Sequence, residues 1–136
     1  MKKLKLLFDA KILAMFGRKI SNGVPRVADE LLRRFLARQD IEVHLLQSSM
    51  DKRLGEYLVH VGATNAKVVE LRQLARTEKT RTLKHRLLYG QVLKRFVAQR
   101  YRQVLSDYDA YFNPHYYPTP AIVRNSGVRT ASLVHD

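Results

Sequence analysis

Cysteine is absent from the 136 residues. That excludes disulfides and thiolate metal sites, and it is compatible with the reducing cytoplasm. Histidine does not replace it: His44, His60 and His85 are scattered, and no H-x-x-x-H spacing occurs. A zinc site is therefore not expected. The six glycines do not assemble a G-x-G-x-x-G fingerprint or a Walker lysine pattern, so neither of the common phosphate loops is present. No run approaches the ~18 apolar residues of a membrane span. The opening MKKLKLLFDAKIL has a superficial likeness to a signal peptide. Lys5, Asp9 and Lys11 interrupt it, however, and no small-residue cleavage site follows. Neither an internal repeat nor a low-complexity segment is found. Negative charge is also scarce, with 12 Asp and Glu against 25 Lys and Arg, a net +13. Such an excess favours anionic partners, whether nucleic acid, anionic lipid or phosphorylated small molecules, without choosing among them.

What is present is enough for one domain with a core of its own, since 46% of the residues are hydrophobic. The charge is unevenly spread. Residues 67–106 hold eleven Lys and Arg against only Glu70 and Glu78, a net of +9.

Along the chain, residues 3–10 (KLKLLFDA) predict a buried strand. KILAMFGRKISNGVP then reads as a loop rich in turn residues, centred on Asn22-Gly23. VADELLRRFLAR follows, with Val27, Ala28, Leu31, Leu32, Phe35 and Leu36 at helical spacing. Pro25 suits the first turn, and Asp29 and Glu30 suit the positive N-terminal end. Residues 41–46 predict a second strand, Ser48 to about Val61 a weak helix containing Gly55, and 66–71 a third strand. A long basic helix is expected over about 79–106. One face carries Leu83, Leu87, Val97 and Tyr101 and the other is basic. Residues 109–114 and 129–135 predict the fourth and fifth strands, joined by a loop with a short helical turn. Strands alternating with helices imply parallel βαβ units. The expected fold is α/β: a Rossmann-like, doubly wound, mostly parallel sheet of about five strands in the order 3-2-1-4-5. Its fifth strand is an open edge unless something covers it.

Four stretches are candidates for chemistry. Ser21 to Arg26 lies before a helix N-terminus, where backbone N–H groups and the dipole attract anions. Asn22, Gly23, Val24 and Arg26 would then bind substrate or phosphate. The alternative is an ordinary capped loop. Asn113 to Pro120 follows strand four, and its His115, Tyr116 and Tyr117 offer hydrogen bonds and flat faces suited to sugars. The alternative is a rigid connection whose tyrosines pack on the sheet end. His135, beside Asp136, is placed to act as a base or donor at a strand end, although a lone histidine is more often structural. The basic helix presents Lys79, Arg81, Lys84, Arg86, Lys94, Arg95 and Arg102. These residues fit phosphate backbones, anionic headgroups or simply a solvated face.

Three of these pieces together resemble retaining GT-B glycosyltransferases of the glycosyltransferase 1/family 4 group. FDA followed by SNGVPRVADELLRRFL resembles the family's first strand, Gly-containing loop and helix. YDAYFNPHYYPTP resembles its strand leading into a His- and Pro-bearing loop. VRTASLVHD resembles the strand that ends in His-Asp. Pro25 departs from the pattern, since the family commonly has Gly there. The resemblance implies a two-domain enzyme that needs no metal or other cofactor. The N-terminal domain binds the acceptor, and a second domain holds the nucleotide-sugar. It places His135 near the transferred sugar, and it implies docking on the inner face of the membrane through basic surfaces. Residues 1–136 would then be a partial N-terminal, acceptor-side domain. The donor-binding domain lies outside the chain, which is expected to be inactive alone. Nucleotide-sugar and acceptor glycan or lipid would bind productively only with that second domain. A chain ending on RTASLVHD reads as a truncation. The competing reading is a small basic module for nucleic acid or an anionic membrane, which uses the +13 charge directly and needs no second domain.

Overall fold

The computed structural model describes residues 1–19, 23–47, 53–70, 95, 99–114, 119 and 121–133. Five strands form one parallel sheet: β1 (Leu4–Asp9), β2 (Ile41–Gln47), β3 (Lys67–Glu70), β4 (Ala110–Asn113) and β5 (Arg129–Ser132). Their order is β3-β2-β1-β4-β5, as the alternation of strands and helices implies. Register runs from Leu4 opposite Ile41 to Asp9 opposite Leu46, and on the other side from Leu6 opposite Ala110 to Phe8 opposite Phe112.

The central position of β1 explains its composition. It is paired on both sides and covered on both faces, so it reads as a continuous apolar run rather than an alternating one. Leu7 and Phe8 are fully buried. On one face Leu6 and Phe8 meet the helices α1 (Lys11–Phe16), α2 (Val24–Ala37) and α3 (Arg53–Val61). Here Phe8 stacks on Phe112 at 5.5 Å between ring centres, and Phe35 of α2 meets both rings edge-on. On the opposite face Leu7, Leu46 and Tyr111 pack with Leu105 and Val123. Leu105 belongs to helical residues 99–105, here α4, and Val123 to the short α5 (Ala121–Arg124). Most of the expected 79–106 helix lies outside the described residues.

Two sequence expectations are corrected. KILAMF is the helix α1, not a loop. The Asp9 side chain accepts the Lys11 N–H at 3.0 Å and so holds the first turn. The apolar Ile12, Leu13 and Ala14 are buried, and Gly17 ends the helix at φ 58°, its N–H returning to the Leu13 carbonyl. Secondly, α2 has Pro25 in its first turn as expected, but it starts at Val24 and its first turn holds no acidic residue. Asp29 and Glu30 consequently fall past the end that the helix dipole favours. They pair instead with Arg33 and Arg34 one turn on, each at 3.1 Å.

Candidate functional site

All five strands run the same way, so their carboxyl ends share one edge. The chain leaves β1 toward β2 on one side and returns to β4 on the other. The carboxyl ends of β1 and β4 therefore flank the point where the winding reverses, the usual place for a crevice in open α/β sheets. Three buried polar residues end strands there: Asp9 on β1, Gln47 on β2 and Asn113 on β4. With Phe8 opposite Phe112, Asp9 and Asn113 occupy the next rung of the ladder.

Asp9 accepts hydrogen bonds from both neighbouring elements. Lys11 N–H donates to Oδ1, and the Tyr111 hydroxyl donates to Oδ2 in a short buried bond. Burial first, and then the Asp9 charge, push the Tyr111 phenol well above the ordinary tyrosine range. Tyr101 is raised for the same two reasons. Tyr111 thus stays a neutral donor, and Asp9 fastens α1 and β4 to the end of β1. Asn113 reaches toward Thr119, with Nδ2 3.4 Å from Oγ1, and its carbonyl accepts the Leu133 N–H at 3.1 Å. It therefore sits between the segment after β4 and the end of β5.

The N-terminus of α2 reaches the same edge, because its C-terminus feeds the amino end of β2. Gly23 is the cap residue at φ 72°, ψ −148°, a region essentially reserved for glycine. It is exposed, and a Cβ built on it would meet nothing within 4 Å. A ligand can therefore approach this backbone closely. Pro25 has no N–H, however, and the N–H groups of Arg26 and Val27 both return to the Gly23 carbonyl, at 3.1 and 3.2 Å. Among the described residues, the donors left outside the helix ladder are the amides of Gly23 and Val24. That is a smaller anion cradle than a full free helix turn provides. Arg26 is exposed on the first turn beside them.

Of the residues singled out from sequence, Gly23, Val24 and Arg26 share this edge. Arg95 and Arg102 are exposed and helical. Asn22, His115, Tyr116, Tyr117, His135, Lys79, Arg81, Lys84, Arg86 and Lys94 lie outside the described residues. Gln47 and the buried setting of Asn113 were missed. The available signal was a polar residue closing an apolar strand, which recurs in LLFD, HLLQ and AYFN. Among the described residues no helix is long and apolar enough to cross a membrane.

The topology is that of a Rossmann-like α/β domain, with buried polar residues at the strand ends that flank its switch point. Comparison with protein-family models, with curated proteins and with solved structures finds no match to the chain.

Proposed function

We propose that this chain is the acceptor-side, N-terminal part of a retaining glycosyltransferase. A sugar would pass from a nucleotide-sugar to a hydroxyl on a glycan or lipid-linked acceptor. The observation that carries the reading is the exposed, glycine-only backbone at Gly23, set on the same sheet edge as Asp9 and Asn113. In this reading the Gly23 and Val24 amides and the Arg26 guanidinium meet the anionic part of a ligand. His115, Tyr116 and Tyr117 shape the acceptor side, and His135 donates a hydrogen bond near the transferred sugar. A second Rossmann-like domain holds the nucleotide, so turnover needs both halves. The exposed Arg95 and Arg102, together with the cations preceding them in sequence, would hold the protein at an anionic membrane face.

A second reading rests on the same exposed arginines. A basic module for nucleic acid or anionic lipid would bind through them with steep salt dependence and leave the carboxyl edge unused. Backbone amide NMR of the chain separates the two. Oligosaccharides, short prenyl phosphates, UDP-glucose and GDP-mannose are the titrants. We expect saturable shifts at Gly23, Val24, Asn113 and Thr119 with at least one of them, weakened about tenfold by Arg26→Glu, as loss of one charge-assisted contact predicts. If those amides stay still while single-stranded DNA or phosphatidylglycerol vesicles move the 99–105 segment, the glycosyltransferase reading is wrong.

A further inference from the structure

One cavity lies away from the carboxyl edge. It has a volume of about 570 Å³ and opens between α2, α3 and the first halves of β2 and β3. Glu42, on its wall, lies five residues before the end of β2, roughly 16 Å along the strand. The cavity therefore sits toward the opposite end of the sheet from Asp9, Gln47 and Asn113. Its size falls in the range of small-molecule sites.

The lining has two halves of different chemistry. Leu36, Val43, Val61 and Ala66 supply an apolar floor. Arg33, Lys67 and Asn65 supply a polar rim. Lys67 is exposed and forms no ion pair among the described residues. Among the described residues Arg33 engages Asp29 through its Nε, 3.1 Å from each carboxylate oxygen, and its terminal amino groups have no other partner there.

Glu42, the acid on the described wall, is already engaged. Glu42 Oε1 lies 2.8 Å from His44 Nε2, and His44 Nδ1 lies 2.8 Å from the Tyr108 hydroxyl. A carboxylate can only accept, so Nε2–H donates to Glu42, and in the neutral ring Nδ1 accepts from Tyr108. His44 is buried and meets the Tyr108 ring edge-on. This chain fixes the wall and keeps Glu42 turned toward His44. It does not prepare a nucleophile, because burial, Asp107 and Glu42 raise the Tyr108 pKa and hold the phenol neutral. The arrangement suits binding rather than proton transfer.

We propose that this cavity is a binding site for a small organic anion, with an oxyanion head on Lys67 and Arg33 and an apolar body on Val43, Val61 and Ala66. The site is independent of the glycosyltransferase reading, because it shares no residue with the carboxyl edge.

Amide NMR of the whole chain tests it with phenyl phosphate, benzoate and inorganic phosphate as probes. Phenyl phosphate or benzoate is expected to saturate shifts at Val61 to Lys67, at least about tenfold more tightly than inorganic phosphate, which lacks the body. The better of the two probes identifies the head group. Lys67→Glu should weaken that probe about tenfold or more, and Arg124→Glu, at an exposed position on α5, should not. Preserved dispersion elsewhere in each spectrum establishes that the exposed-site variants fold. The proposal is overturned if neither aromatic probe outbinds inorganic phosphate. It is also overturned if both variants weaken binding equally, which would mean diffuse attraction to a chain of net charge +13.

Discussion

Two tyrosines hold carboxylates in the interior. Tyr57 of α3 donates to Asp29 of α2 at 2.5 Å, and Asp29 is also gripped by Arg33. Tyr111 of β4 donates to Asp9 of β1. Both rings are fully buried, and burial followed by the adjacent carboxylate pushes each phenol above the usual tyrosine range. The sign of the linkage follows from that direction. Below about pH 10 both tyrosines are protonated in the folded and unfolded chains, and their contribution is fully present. Above about pH 10 the unfolded chain releases these protons while the folded chain keeps them. Stability then falls by up to ~1.4 kcal/mol per pH unit for each tyrosine. Urea midpoints at about pH 9 and about pH 11 should therefore drop more steeply for the native chain than for a Tyr57→Phe/Tyr111→Phe variant. Equal slopes would mean that neither phenol is tied to its carboxylate.

Elements begin and end where backbone geometry lets them. Gly17 ends α1 with a positive φ, and a Cβ built there would lie 3.1 Å from the Arg53 Cβ of α3. Gly55 lies inside α3 without a positive φ, and a Cβ there meets nothing within 4 Å. Opposite outcomes are expected from the same substitution. Gly17→Ala should destabilise by roughly 1–3 kcal/mol through backbone strain and crowding. Gly55→Ala should stabilise by about 0.5–1 kcal/mol, because alanine gives up less chain entropy in a helix. Thermal unfolding of the two variants measures both, and a loss at Gly55 as large as that at Gly17 would contradict this account. At this scale α2 was legible from its apolar spacing. The helix α1 was not, because six residues carry too little periodicity to separate a short buried helix from a loop. Its cues were Asp9 two residues before Lys11, and Gly17 after Phe16.

The whole sheet is built around β1. A parallel sheet normally has both faces covered. β1 meets this from Leu6 to Asp9, whereas all four residues of β5 are exposed. Amide hydrogen exchange should reflect the gradient, slowest at Leu6 to Phe8 and at least about tenfold faster at Thr130 and Ala131. Equal protection at β5 would indicate that its edge is covered in solution.

The sequence by itself determined the class of fold. Alternating apolar strands and amphipathic helices admit few arrangements, and the order 3-2-1-4-5 is one of them. It also determined the basic character and the placement of Gly23 before a helix. Only the tertiary structure decided which polar groups are buried and what they touch. Asp9 and Tyr111 are 102 residues apart, and His44 and Tyr108 are 64 apart. Side-chain periodicity describes neighbours along one strand or helix. These pairs exist because strand pairing brings distant segments within hydrogen-bond distance, and that register is a property of the assembled sheet.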